Sequence, residues 1–228
     1  MVRRRRYPNS ILQSLPSSEL ASISPELRDI DLSKGTLLFE PDTPSTNVYF
    51  PINSVISFIG DTGEGGSLEV WAVGSEGLAG VSGILGRTKP FRGVVQVSGN
   101  ALVAKAAVFR RNFQRCSAFH DAIIGYLDHL LMQISYLGIC NNSHPIEQRL
   151  CRWLLMIHDR SRTDDLKFTQ DGIAAILGTR RATISVAAAA LQSAGLIQYT
   201  PGSIRIRSRK GLERAACRCY RLINSGRL

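Results

Sequence analysis

Apolar residues recur at helical spacing in two adjacent segments within residues 170–189, and they predict two helices joined by a tight turn. The apolar faces comprise Ile173, Ala174, Ile176 and Leu177 in the first segment and Ile184, Ala187, Ala188 and Leu191 in the second. Gly178 lies between them, where a sharp turn requires a residue that tolerates positive φ. The pattern favours a helix-turn-helix, which places a helix in the DNA major groove, over an ordinary helical hairpin.

Short strands are predicted over residues 31–107, because apolar runs there are bounded by Gly, Pro, Asn or Asp. The runs are LSKGTLLF, NVYFPI, SVISFIG, LEVWAVG, GVVQVSG and ALVAKAAV. Residues 61–66 separate two of them and are a candidate hairpin loop. Strands this numerous and regularly spaced predict an antiparallel barrel or roll. Such a roll either holds a small molecule or is packed solid.

Residues 108–143 change to a helical pattern that contains an a/d heptad seam. The seam comprises Ile123, Leu127, Leu130, Ile134 and Leu137. A second apolar stripe contains Ile124 and Leu131, so one side of the helix can pack on the roll and the other on a partner chain. We interpret the seam as the contact of a parallel homodimer; a helix that packs only on its own roll is the alternative.

The remaining elements are predicted from proline positions and amphipathic spacing. Short helices fall within residues 11–30, and residues 141–145 form a hinge, because proline disfavours helix at the residue before it. An amphipathic helix follows at 147–158, and a closing helix is expected at 213–222. Between them, residues 196–207 read as strand, tight turn and strand, which after a helix-turn-helix is the wing of a winged helix.

Basic residues are concentrated in the last part of the chain. Residues 145–228 contain 15 Lys and Arg against 6 Asp and Glu, a net charge of +9 out of +10 overall. Residues 7–144 contain 9 against 12, a net charge of −3. This asymmetry predicts that only the C-terminal domain meets a polyanion. The run of arginines at 3–6 is interpreted as a mobile arm, either solvated or in contact with DNA.

Composition and motifs argue for a globular protein and against a membrane protein or an enzyme. An apolar content of 44% suffices for real cores in one or two domains of a 228-residue chain. No run reaches the length of a membrane span and no signal peptide opens the chain, so a cytoplasmic protein without membrane contact is expected. No HExxH, GxSxG, P-loop or paired-carboxylate motif is visible, and an enzyme is not expected.

The cysteines do not predict a disulfide framework, because their number is odd and most lie in helical patterns. They are Cys116, Cys140, Cys151, Cys217 and Cys219. Cys217 and Cys219 form the one close pair, which would suit a metal or redox site. No other Cys or His lies near them in the sequence, so we expect structural roles and predict no metal or cofactor.

Polar and basic residues open the second helix of the helix-turn-helix and suit DNA phosphates and base edges. The residues predicted to contact double-stranded DNA are Thr169, Gln170, Thr179, Arg180, Arg181, Thr183, Ser185, Ser203 and Arg205. Thr169 and Ser185 are expected to bond phosphates near helix N-termini, where backbone N–H groups already favour anions. Arg205 and Arg207 on the wing are expected to follow the DNA backbone or minor groove.

From about residue 32 to about residue 222 the chain resembles the cyclic-AMP receptor protein / fumarate-nitrate regulator (Crp/Fnr) superfamily of bacterial transcription factors. The resemblance rests on KGTLLF at 34–39, NVYF at 47–50, GSEGLAG at 74–80, HPIEQRLCRWLL at 144–155 and TQDGIAAILGTRRATISVAAAALQSAGLI at 169–197 with the hairpin after it. It implies an α+β fold: a cyclic-nucleotide-binding-type antiparallel β-roll in 1–112, a dimerisation helix and hinge in 113–144, and a winged helix-turn-helix in 145–228. It also implies a homodimer, contact with RNA polymerase and a small effector or redox centre in the roll.

The effector site implied by the resemblance is incomplete. Its two segments match Gly80, Val81 and Ser82, and Arg92, Gly93 and Val94. The family's cyclic-phosphate Arg is kept as Arg92, but the Glu that takes the ribose hydroxyl is absent, which removes a bond worth about 1.5–3 kcal/mol. Cyclic AMP is therefore disfavoured, and a roll that is empty or holds another anion is expected. Iron–sulfur and haem sensing are disfavoured, because the cysteine and histidine ligands of those members are missing.

The recognition helix also departs from the family pattern Arg-Glu-Thr-Val-x-Arg. Arg181 is kept and suits a bidentate contact to guanine. Ala182 and Val186 replace the Glu and the second Arg, so a different operator is expected. The sequence thus predicts a homodimeric DNA-binding regulator on an inverted repeat, with half-sites about 34 Å apart. The alternative is an effector-sensing protein that acts mainly through protein contacts.

Overall fold

The computed structural model describes residues 7–63, 66–115 and 117–225. The arginine run at 3–6 and Cys116 lie outside the described residues. The chain divides into two compact units. Of the described residues, 7–58 and 72–130 form the first unit, and 59–71 and 131–225 form the second.

The first unit begins with short helices and continues into an antiparallel roll. Its elements are α1 Ser10–Ser14, α2 Ser17–Ile23, a 3-10 turn Ser24–Glu26, β1 Arg28–Leu32, β2 Leu37–Phe39, β3 Asn47–Pro51, β4 Val55–Gly63, β5 Gly66–Val73, α3 Val81–Leu85, β6 Phe91–Val97, β7 Gly99–Lys105 and α4 Ala106–Arg115. The outer part of the β4–β5 hairpin belongs to the second unit. The short strands predicted from the sequence are confirmed, although the last one ends at Lys105 and gives way to α4 earlier than expected.

Two sheets form the roll, in the strand orders β1-β7-β3 and β2-β6-β4-β5. In the first sheet β7 pairs antiparallel with both neighbours, in the registers Arg28↔Val103 and Asn47↔Lys105. Aromatic side chains fill the interior: Phe109 packs against Phe50 and Phe119, with ring centroids 5.1 and 5.3 Å apart. The N-terminal helices close over this core with Ile11, Leu12 and Ile23 fully buried.

The long helix α5, Ser117–Ser143, begins where the carboxylate of Glu19 accepts hydrogen bonds from the backbone N–H groups of Ala118 and Phe119, at 3.2 and 2.9 Å. This carboxylate satisfies two of the donors that a helix start leaves open. The buried face of α5 comprises Phe119, Ala122, Ile123, Tyr126, His129, Gln133 and Cys140. The helix is thus held along one full face.

One residue of the predicted dimer seam, Ile123, is wrong. Ile123 is 0% exposed and is therefore unavailable to a partner chain, whereas Leu127, Leu130, Ile134 and Leu137 are half-buried. The most exposed large apolar side chains of α5 are Ile124, Leu131 and Ile139, at 47%, 65% and 52%. Two apolar stripes lie one residue apart in the sequence, and the periodicity did not decide which one the roll covers.

By length and composition alone α5 would also be able to cross a membrane, with a mean hydropathy of 1.3 over its most apolar 18-residue window. The expectation that no run reaches that length is wrong for this helix. A third of the window is buried inside the chain. Core helices of soluble proteins can have the same length and hydropathy, so these two properties are weak evidence for a membrane span.

The second unit contains the winged helix. Its elements are the last part of α5, then α6 Ile146–Ser161, β8 Asp165–Leu166, α7 Gln170–Leu177, α8 Arg181–Ser193, β9 Ile197–Thr200, β10 Ser203–Ile206, α9 Arg209–Ala215 and α10 Cys219–Ser225. The strands form one antiparallel sheet in the order β8-β10-β9. The core lies under α6, where Trp153 meets the edge of Phe168 at 4.9 Å between ring centroids.

The chain after the wing differs from the predicted single helix over 213–222. It forms two helices, because Ala216 takes an extended conformation with φ −71° and ψ 151°. Cys217 then turns inward and is 5% exposed.

The buried guanidinium of Arg160 on α6 donates to Gln133 on α5 at 3.2 Å, which joins the C-terminal half of the long helix to the winged helix within this unit.

Candidate nucleic-acid interface

The helix-turn-helix is built from α7, a tight turn and α8, between which the chain bends by 108°. The Thr169 hydroxyl caps α7 by accepting the N–H of Gly172 at 3.0 Å. Gly178 ends α7 in the left-handed region at φ +60°, a conformation that favours glycine. Ile184, Ala187 and Ala188 on α8 are buried, as their helical spacing predicted.

The N-terminal end of α8 is open and polar. Arg180 is its N-cap, and among the described residues no side chain caps this helix end. An open concavity is lined by Gly178, Thr179, Arg180 and Thr183. Uncapped backbone N–H groups at a helix start attract anions, since they are unsatisfied donors at the positive end of the helix dipole. The start of α8 is therefore suited to a phosphate group.

Arg181 points outward at the first turn of α8, where its Nε lies 3.6 Å from the carboxylate of Asp171 on α7. Both side chains are 68% exposed. An exposed pair at this distance contributes little stability and is readily exchanged for another anion. Asp171 thus orients Arg181 without sequestering it.

The wing is the β9–β10 hairpin, in which Ser203 pairs with Thr200 and Ile206 with Ile197. Arg205 on β10 makes two hydrogen bonds to Asp165 on β8, each 2.6 Å long. These bonds and the charge of Arg205 lower the pKa of Asp165 below its usual range, so the carboxylate stays ionised. Nearby, Arg207 donates to Gln198, and Lys167 lies 3.4 Å from the hydroxyl of Ser203.

The predicted DNA contacts all lie in the second unit and none is buried in its core. Thr169, Arg180, Arg181, Ser185 and Arg205 are exposed, and Gln170, Thr179, Thr183 and Ser203 are half-buried. Val186 is the most exposed large apolar side chain of α8, at 68%. Sequence reasoning missed Asp165 and Asp171, the two acids that engage the predicted arginines, because 40 residues separate Asp165 from Arg205.

The predicted effector segments lie in the first unit, on either side of one aromatic ring. A Cβ placed on Gly80 would lie 3.1 Å from the ring of Phe39, and one on Gly93 would lie 2.3 Å from it. Phe39 also stacks on Phe58 and meets Tyr49 edge-on, at 5.7 and 5.6 Å between centroids. Phe39 therefore occupies the space between these two glycines.

The two polar residues of the effector segments, Ser82 and Arg92, are respectively hydrogen-bonded within the roll and exposed on its surface. Ser82 is buried and bonds the hydroxyl of Ser45 at 3.0 Å, and Arg92 is exposed on β6. Val81 and Val94 are half-buried. This part of the roll presents an apolar interior with an arginine on its surface.

Comparison with known proteins bears first on the C-terminal region. Residues 148–215 match the family model of the Crp-like helix-turn-helix domain. No significant match is found among curated protein sequences.

Solved structures resemble nearly the whole chain. FixK2 from Bradyrhizobium japonicum is similar with a TM-score of 0.70 at 13% identity, over 84% of this chain and 98% of that one. CLP from Xanthomonas campestris, a c-di-GMP responsive global regulator, gives 0.67 at 15% identity, over 85% and 100%. A CRP family transcriptional regulator from Thermus thermophilus gives 0.68 at 15% identity, over 83% and 96%. At these identities the likeness establishes the fold.

Proposed function

Since residues 148–215 form a Crp-like helix-turn-helix domain in a chain with the Crp/Fnr fold, we propose that the protein is a sequence-specific transcriptional regulator that binds an inverted-repeat operator as a homodimer. The observation on which this depends is the exposed start of α8. Arg180 and Arg181 lie there beside an uncapped helix end, in the region that holds nearly all of the net positive charge. Such a surface suits phosphates and base edges.

A division of labour among the polar residues follows from their positions. Arg181, at the first turn of the recognition helix, makes the bidentate contact to guanine, and the exposed Val186 one turn later packs on a thymine methyl group. Thr169, Thr179 and Arg180 bind phosphates and fix the register of the helix in the groove. The remaining predicted contacts, Gln170, Thr183, Ser185, Ser203 and Arg205, surround this centre.

The second copy is the proposed occupant of the exposed stripe on α5. Ile124 and Leu131 are seven residues apart and Leu127 lies between them, which is heptad spacing. Half-buried Leu130, Ile134 and Leu137 flank this stripe and would be covered with it. Two recognition helices related by the dimer axis would meet half-sites about 34 Å apart.

The roll is proposed to act without cyclic AMP. Phe39 packs against both Gly80 and Gly93, and Arg92 is exposed, which does not favour a cyclic nucleotide held between these two segments. If an effector exists, the exposed guanidinium of Arg92 is where an anion would bind. We place the protein in the cytoplasm, where it would act on RNA polymerase at the promoter.

The proposal is tested by selecting binding sites from random DNA with the purified, ligand-free protein and measuring affinity by anisotropy at several salt concentrations. We expect a two-fold symmetric motif without additives, with affinity that falls steeply as salt rises. Uniform, weak binding to all sequences would contradict specific recognition by the ligand-free protein. Adding cyclic AMP in parallel serves as a control, and a gain of affinity would contradict the cyclic-AMP-independent roll.

A further inference from the structure

Four side chains that suit a metal ion converge in the second unit, away from the residues proposed to contact DNA. Cys140 lies near the end of α5, His144 just beyond it, and Cys217 and Cys219 precede and begin α10. One ligand atom from each residue lies within 4.8 Å of all the others. We propose that these side chains bind a structural zinc ion as a closed Cys3His site. The inference does not depend on DNA binding.

Two distances between ligand atoms of this cluster are close to those in a tetrahedral zinc site. The Sγ atoms of Cys140 and Cys217 lie 3.4 Å apart, and the Sγ of Cys219 lies 3.7 Å from Nδ1 of His144. Zinc bonds of about 2.3 Å to sulfur and about 2.0 Å to nitrogen, at tetrahedral angles, place two sulfur atoms about 3.8 Å apart and a sulfur and a nitrogen about 3.5 Å apart. Both distances in the cluster lie within about 0.4 Å of these values. Little movement is therefore needed to receive the ion.

The backbone presents the ligands as two pairs. His144 donates its N–H to the carbonyl of Cys140 at 3.1 Å, so the two residues are one helical turn apart on the same face. The other pair follows the break after α9, where Tyr220 donates its N–H to the carbonyl of Cys217 at 3.2 Å. This turn directs Cys217 and Cys219 toward the end of α5.

Burial and charge favour a bound cation with thiolate ligands. Cys140, Cys217 and Cys219 are 0%, 5% and 1% exposed. Arg152 is also buried, and its Nε finds no hydrogen-bond partner among the described residues. Three thiolates, a neutral histidine and Zn²⁺ carry a net charge of −1, which Arg152 would balance.

Zinc accounts for the whole ligand set better than the alternatives do. A disulfide between Cys140 and Cys217 would leave Cys219 and His144 without a role. Iron–sulfur clusters are usually held by four cysteines, or by two cysteines and two histidines. Structural zinc sites have four protein ligands and no open position, and Cys3His is one of their usual ligand sets.

The test is the metal content of the full chain, purified under reducing conditions and measured by elemental analysis. We expect one zinc ion per chain, lost in C217S and in C140S but retained in C151S. Cys151 is the matched control, because it is a fully buried cysteine of the same unit outside the cluster. Co²⁺ added to the metal-free protein should give the visible absorption of a tetrahedral thiolate site, and this absorption should be absent in C217S.

X-ray absorption at the zinc edge of the unsubstituted protein needs no variant and so does not depend on variant folding. We expect about three sulfur ligands at ~2.3 Å and about one nitrogen at ~2.0 Å. Protein that neither retains nor binds zinc, zinc that survives in C217S, iron with inorganic sulfide, or a Cys140–Cys217 disulfide in anaerobically purified protein would each overturn the proposal. All of these results are obtained without DNA, so they are independent of the proposed regulatory function.

Discussion

The guanidinium of Arg205 on the wing is held by the carboxylate of Asp165, which accepts two hydrogen bonds of 2.6 Å each. The pair lies on the surface, with side chains 51% and 44% exposed. A cation proposed to meet DNA is thus already paired with an acid on the same face. DNA phosphates must compete with Asp165, or bind while it remains in place.

Replacing Asp165 with Asn should therefore strengthen DNA binding. The change removes a negative charge from the proposed interface and frees Arg205, so affinity should rise for all sequences alike. The slope of log affinity against log salt should steepen by up to about 1. Anisotropy titrations at several salt concentrations measure both effects. D164N is the control, because Asp164 is bonded to His158; equal effects of the two variants would contradict a specific role of the Arg205–Asp165 pair.

Replacing Arg181 with Ala should reduce affinity for the selected operator by about 1–3 kcal/mol and relax base preference at one position of each half-site. The reason is its exposed place on the first turn of α8, where the proposed bidentate contact to guanine would be made. R180A is the comparison, and it should weaken binding to all sequences alike. An equal loss on every sequence in R181A would show that Arg181 contacts only phosphate.

Replacing both Ile124 and Leu131 with Lys should give a folded monomer that binds operator DNA poorly. Both side chains are exposed, so the fold should tolerate the change while like charges separate the two copies. Sedimentation reports the association state and circular dichroism the fold. L85K is the control, since Leu85 is an exposed apolar residue of α3, at 40%. A dimer that survives the double substitution would place the interface elsewhere.

Replacing Phe39 with Ala should destabilise the roll by about 3–5 kcal/mol, the usual cost of emptying a well-packed aromatic site. The ring packs against Tyr49, Phe58 and the two effector-segment glycines, and it is 8% exposed. Urea denaturation measures the loss. The exposed neighbour Leu37 is the control, and L37A should change stability by about 0.5 kcal/mol or less. Equal effects would mean that Phe39 does not fill the roll.

Local sequence signals predicted those parts of the molecule whose causes are local. Gly178 was predicted at the turn after the first apolar helical run, and it ends α7 there. The capping of α7 by Thr169 was not predicted. Alternation bounded by turn residues gave the strands of the roll. Within the predicted dimer seam, Ile123 is wrong because it is buried in its own chain, while the seam as a whole stays a prediction. Ile123 and Ile124 begin two similar apolar stripes, and only the packing of α5 distinguishes them.

Contacts between residues far apart in the sequence could not be predicted. Nothing near Phe39 in the sequence indicates that its ring lies between Gly80 and Gly93. Likewise, Cys217 and Cys219 were predicted to have structural roles because no other Cys or His lies near them in the sequence, whereas Cys140 and His144 approach them from the end of α5. The resemblance to a family helped little here, since His144 alone of the four proposed zinc ligands lies in a motif on which the resemblance rests.

The 77-residue separation of Cys140 and Cys217 also bears on the order of events during synthesis. Both helices of the helix-turn-helix and the wing lie between them, so the ribosome completes the proposed DNA-contacting elements before the thiols can meet. Domains generally fold as they emerge, at about 5–20 residues per second. For several seconds, therefore, the thiol of Cys140 would be solvent-exposed on the nascent chain, until Cys219 leaves the exit tunnel. During that time it could be oxidised or could bind a metal ion before the other ligands are available.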